Sequence, residues 1–216
     1  MKRSLSLAFA ACAASLLALP ATALSTEITI ANTGTVSPPS CPASPCAVVS
    51  RTTAVQVKDG SDIGPFTVSR RGRIVSWSVT LADPSALQIH YFDLHEGGTA
   101  RAALAVLHNK GGLDFKLVAL SPLEHLQPDF GKTTQFQLAT PIHVAKGDVL
   151  ALSVPTWIPA LALGYQSTTS WRASRSTSQC LDVTIQTFQT VIGSSAAYDC
   201  LYQTALITYS ATESTG

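Results

Sequence analysis

Between residues 73 and 81 the chain reads RIVSWSVTL, and its side chains alternate. Val75, Trp77, Val79 and Leu81 fall on one face; Ile74, Ser76, Ser78 and Thr80 fall on the other. A period of two marks a half-buried β-strand, because successive Cβ atoms of an extended chain point to opposite faces. The alternation returns with Leu104 and Val106 in ARAALAVLH, Phe115, Leu117 and Ala119 in DFKLVAL, and Phe136 and Leu138 in TQFQLAT. It returns again with Leu150, Leu152 and Val154 in DVLALSV and with Ala205, Ile207 and Tyr209 in TALITYS. Turn-forming residues separate these runs, among them Lys58-Asp59-Gly60, Gly97-Gly98, Asn109-Lys110-Gly111-Gly112 and Lys146-Gly147-Asp148. Beyond the N-terminal segment no window carries a helical stripe, so little helix is expected. Short strands spaced by turns predict an all-β chain, an antiparallel β-sandwich of jelly-roll-like character. Residues 109–112 predict a hairpin joining 101–108 to 113–120, and 146–148 predict a second joining 142–145 to 149–154.

The N-terminus has a different pattern. Lys2 and Arg3 precede an apolar run from Leu5 to Leu19, which ends at Pro20 and is followed by the small-x-small site Ala21-Thr22-Ala23. This layout predicts a signal peptide over 1–23 and a single β-sandwich domain over 24–216. No later stretch reaches the ~20 apolar residues of a spanning helix, so the expectation is a secreted protein, free or associated with the cell surface, without a transmembrane span. The formal charge is +1, less the two charges of Lys2 and Arg3, hence −1 for the mature chain. A near-neutral chain without a basic cluster argues against nucleic acid, whose binding rests on neutralising phosphates.

Five cysteines occur, of which Cys12 lies in the signal. The remaining four, Cys41, Cys46, Cys180 and Cys200, read as two disulfides in an exported chain. Local pairing is expected, Cys41 with Cys46 inside the Pro-rich CPASPC and Cys180 with Cys200 around a tethered excursion. The chain-entropy model values such bridges at about 2 kcal/mol for the short loop and about 3 kcal/mol for the long one. Four thiols without CxxC spacing do not suggest zinc, and no metal or cofactor is predicted.

The densest set of reactive side chains is QIHYFDLHEGG, residues 88–98. Read as a strand, it places His90 with Phe92 and Leu94, and Asp93 with Tyr91 and His95. Asp93 and His95 then share a face, the starting point for an extracellular hydrolase, although a third group (His108, Glu96 or His143) would have to come from elsewhere. A strand end facing water is the simpler reading. There is no G-x-S-x-G elbow, H-E-x-x-H or P-loop, and no catalytic residue is assigned. The segment TWIPALALGYQSTTSWRASR, residues 156–175, offers more. Trp157, Tyr165, Trp171 and Arg172 combine aromatic faces with a planar cation, the equipment for stacking a sugar ring and directing hydrogen bonds to it. The competing reading has both tryptophans plugging one end of the sandwich.

PFTVSRRGRIVSWSVTLA, VAKGDVLALSVPTWIPALALG, SWRASR and CLYQTALITYSAT together resemble a group of secreted, uncharacterised proteins of high-GC bacteria with a jelly-roll-like β-sandwich. The resemblance runs from about Cys46 to Thr212 and implies no activity. The turn from Val144 to Asp148 is also similar to one found in many jelly-roll modules, carbohydrate-binding ones among them. The leading expectation is a non-catalytic binding or cell-surface module, with a glycan or a cell-envelope component as partner. The alternatives are the hydrolase on Asp93 and His95 and a structural or assembly protein of the envelope.

Overall fold

The computed structural model describes residues 26–182 and 184–215, so the segment read as a signal peptide lies outside the described residues. In chain order the elements are β1 (Thr26–Ala31), β2 (Val49–Asp59), β3 (Asp62–Ile63), β4 (Gly72–Thr80), α1 (Ala86–His95), β5 (Arg101–Gly111), β6 (Asp114–Leu120) and β7 (Glu124–His125). They continue as β8 (Thr133–Val144), β9 (Val149–Ile158), β10 (Leu161–Leu163), β11 (Ser170–Ala173), β12 (Ser195–Ala197), β13 (Cys200–Gln203), β14 (Ala205–Ile207) and β15 (Tyr209–Thr215). All ladders between them are antiparallel.

One layer has the order β1-β15-β4-β8. The other runs β12-β6-β5-β9-β2-β11-β13, and β10 with β14 forms a short ribbon. The protein is an antiparallel β-sandwich stapled by the disulfides Cys41–Cys46 and Cys180–Cys200. The core is drawn from both layers: Trp77, Ile74 and Val79 from β4, and Leu104, Val106, Leu150, Leu152 and Val154 from β5 and β9. Phe66 stacks on Tyr209 within it, the ring centroids 3.9 Å apart.

Alternation sets which residues face this core, with one break. Trp77 and Val79 are buried as their spacing predicts, but Ile74 is buried as well, while Val75 is only half-buried. The β4–β8 register shifts between Ile74 and Ser76, and such a bulge inverts the in–out phase of everything beyond it. β5 and β9 are buried on both faces because a second cluster, Val55, Ala105, Leu107, Leu117, Ala151 and Tyr198, lies on the far side of their sheet. The chain after Cys180 folds back over that side. Gln189 ties it down: its carbonyl accepts from Ser153 Oγ at 2.6 Å, its N–H donates to Thr53 Oγ1 at 2.8 Å, and its side-chain oxygen accepts from Tyr198 Oη at 2.6 Å.

The hairpin expected at 109–112 forms, with Gly111 and Gly112 at φ 120° and 59°. The turn at 146–148 is present but joins no hairpin. β8 pairs with β4, whereas β9 pairs with β2 and β5, so this turn carries the chain from one layer to the other. Asp148 braces the turn by accepting the Ala145 N–H at 2.8 Å. β14 and β15 part at Thr208, β14 pairing with β10 in the short ribbon and β15 with β4 and β1 in the first layer.

A buried side chain bridges elements across the interior. Gln56, fully enclosed in β2, accepts the Ile207 N–H at 2.9 Å through Oε1 and donates through Nε2 to the Lys58 carbonyl at 2.9 Å. Its amide thereby stands in for a peptide group between β2 and β14.

Candidate functional site

The first correction concerns residues 88–95, which form most of α1 rather than a strand. A capping box starts the helix: Ser85 Oγ accepts from the Gln88 N–H at 3.3 Å, and Gln88 Oε1 accepts from the Ser85 N–H at 2.8 Å. Two residues apart on a helix point to different faces, so Asp93 and His95 do not share one. Asp93 turns inward, where its carboxylate accepts from Gln127 Nε2 at 2.9 and 2.8 Å and from the Trp157 indole N–H at 3.0 Å. His95 stays at the surface beside the Tyr91 ring, and its carbonyl accepts from Arg51. Asp93 therefore anchors the helix to the sandwich.

The four residues expected to form a ligand patch are dispersed. Trp157 is fully enclosed between Phe92 and Phe130. Tyr165 pins the preceding loop, its hydroxyl accepting from the Ser37 N–H at 2.7 Å and donating to the Thr35 carbonyl at 3.3 Å. Arg172 follows Trp171 in β11 and so points to the opposite side of the sheet, where it donates to the Tyr198 and Asp199 carbonyls at 2.9 Å. Of the four, Trp171 lines a cavity.

That cavity, of about 280 Å³, is lined by Val48, Ser50, Leu161, Trp171, Arg175, Tyr202, Gln203 and Ala205. Strand pairing builds it. Trp171 in β11 lies directly opposite Tyr202 in β13, and the two rings stack with centroids 4.4 Å apart and planes 23° from parallel. Arg175 leaves the end of β11 and runs beneath them, only 3% exposed. Its Nη1 donates to Tyr202 Oη at 3.0 Å and its Nη2 to the Ser50 carbonyl at 2.9 Å, while Nε has no partner. The Cys180–Cys200 bridge holds the floor in place, because Tyr202 Oη also donates to the Cys180 carbonyl at 2.7 Å. Aromatic surface and a fixed cation thus meet in one concavity.

A second concavity, of about 460 Å³, gathers Arg71, His108, His143 and Asp148. His108 Nδ1 lies 3.0 Å from Asp148 Oδ1, which orients the imidazole. Its lining contains no hydroxyl or thiol side chain to serve as a nucleophile. Among the described residues no group of three or more His, Cys, Asp or Glu side chains is arranged to hold a metal ion. No helix among them is long and apolar enough to cross a membrane.

Comparison with family models, with characterised proteins and with solved structures finds no match. The site therefore has to be argued from its own geometry. Trp171 was accessible to sequence reasoning through aromatic clustering. Tyr202 and Arg175 were not singled out; the signals for them were the Cys200-Leu201-Tyr202 triplet at the second bridge and a second arginine at the end of SWRASR.

Proposed function

We propose that the protein is an exported, non-catalytic binding module that receives a small ligand, carbohydrate being the first class to test, in the cavity of Trp171, Tyr202 and Arg175. One observation carries this reading: a stacked aromatic pair and a buried guanidinium converge on the same concavity. A sugar ring needs apolar faces to lie against and fixed donors to orient it, and both are present. The two disulfides accord with an oxidising compartment. Among the described residues, the concavity of His108 and Asp148 is lined by no hydroxyl or thiol, which favours binding over hydrolysis.

A glycan array followed by titration calorimetry tests the proposal. The purified protein should bind a glycan, and Trp171→Ala and Val48→Trp should each weaken that binding at least tenfold. Val48 lines the cavity and is half-buried, so the second variant fills the cavity while leaving the fully buried core side chains in place. No binding by the wild type, or equal binding by both variants, would refute the reading. A second reading, assembly at the cell envelope, is favoured by one feature: Leu87, Tyr91 and Leu94 project from α1 at 83%, 56% and 68% exposure. Light scattering at rising concentration would show association if that reading holds.

A further inference from the structure

We infer that the Trp171 cavity takes a sugar bearing a carboxylate, a uronic acid, with the acid group on Arg175. The inference rests on the binding site proposed above and names the class of ligand that it fits.

Arg175 is the reason. A guanidinium is always charged and carries five N–H donors. Two of them are used, on the Tyr202 hydroxyl and the Ser50 carbonyl, and both acceptors are neutral. The buried Nε has no acceptor. No carboxylate lies within ion-pair distance of Arg175 among the described residues, where the carboxylates in such contact with a basic side chain are Glu96 with Arg51 and Asp148 with the His108 imidazole. Asp182 feels its charge from a distance, but that carboxylate is fully exposed and is already engaged by Thr184. A buried charge without a partner costs several kcal/mol, and an unsatisfied buried polar group calls for a missing ligand, ion or water.

The shape of the site selects among anions. Each terminal nitrogen of Arg175 has one N–H engaged and one remaining, and a pair of such donors matches the two oxygens of a carboxylate. Around that fork lie the Trp171 and Tyr202 rings and the Leu161 and Ala205 side chains. A bare inorganic anion would leave this apolar wall uncovered. A hexose ring with a carboxylate arm covers the wall and reaches the cation together. The cavity is near the lower end of the range for small-molecule sites, which suits one ring.

Sodium glucuronate and glucose, added in millimolar steps to ¹⁵N-labelled protein, form the test. The indole N–H of Trp171 and the ε N–H of Arg175 serve as reporters. Glucuronate should shift both signals and bind at least tenfold more tightly than glucose, and its affinity should fall with added salt. Arg175→Met should abolish the preference. Because that variant loses a buried anchor, Gln203→Glu provides a second arm. Gln203 is exposed, and a carboxylate at the rim should weaken glucuronate binding at least tenfold in a fully folded protein. Equal affinity for the two sugars overturns the inference but leaves the binding site standing. An unchanged spectrum with both sugars also overturns the inference, and the glycan array then decides the site independently.

Discussion

Removing the Asp93 side chain tests whether this carboxylate is structural. Asp93→Ala deletes the acceptor of two donors, Gln127 Nε2 and Trp157 Nε1. A hydrogen bond to a charged group contributes about 1.5–3 kcal/mol, so the gross loss is about 3–6 kcal/mol. Two features reduce it. The indole N–H keeps the Gly98 carbonyl at 3.0 Å and is not left orphaned, and half-buried Gln127 recovers hydrogen bonds from water. A net destabilisation of about 2 kcal/mol remains, and in a domain of this size it lowers Tm by about 4–8 °C. Thermal melts followed by Trp fluorescence measure it, with Asp93→Asn, which keeps an acceptor, losing about half as much. A Tm within 1 °C of wild type in Asp93→Ala would refute the anchoring role of Asp93.

Further expectations follow from other buried groups. Glu213 is enclosed with neither carboxylate oxygen hydrogen-bonded, and burial raises its pKa, against a smaller lowering by Arg70. The folded state then holds this proton more tightly than the unfolded chain, so the contribution to stability is fully present below the ordinary glutamate value of 4.5 and is lost as pH rises through the folded pKa. Glu213→Met should accordingly raise Tm at pH 7, with the gain shrinking as pH falls through the folded pKa toward 4.5 in thermal melts across pH. A Cβ on Gly72 would collide with the Glu213 carboxylate, so Gly72→Ala should cost about 1–3 kcal/mol in urea titration. Replacing Cys180 and Cys200 by serine should cost about 3 kcal/mol and weaken binding at the Trp171 cavity, as calorimetry would show, because the bridge holds the carbonyl that positions Tyr202.

The strands were legible because each buries one face or both, and burial leaves a pattern in the residues. Both disulfide pairings could be read from local spacing. The helix was misread because its inward residues, Ile89, Phe92 and Asp93, and its outward ones, Leu87, Tyr91 and Leu94, are alike in polarity, which blurs any stripe of period 3.6. Its start was nevertheless written in Ser85-Ala86-Leu87-Gln88, a capping box just after Pro84. The cavity was only half legible. Trp171 and Tyr202 lie far apart in sequence and meet through the register of β11 on β13, which no local window contains. Neighbours in a strand face opposite ways, which is why Trp171 and Arg172, grouped in the expected patch, part company.

The Gln56 amide has a mechanical consequence. Layers held by hydrocarbon alone have little to resist a sideways slip, whereas a polar peg seated on the Ile207 N–H fixes β2 against β14 at one position. Ala205 at the head of β14 lies in the cavity wall, so the peg also fixes that wall relative to the rings.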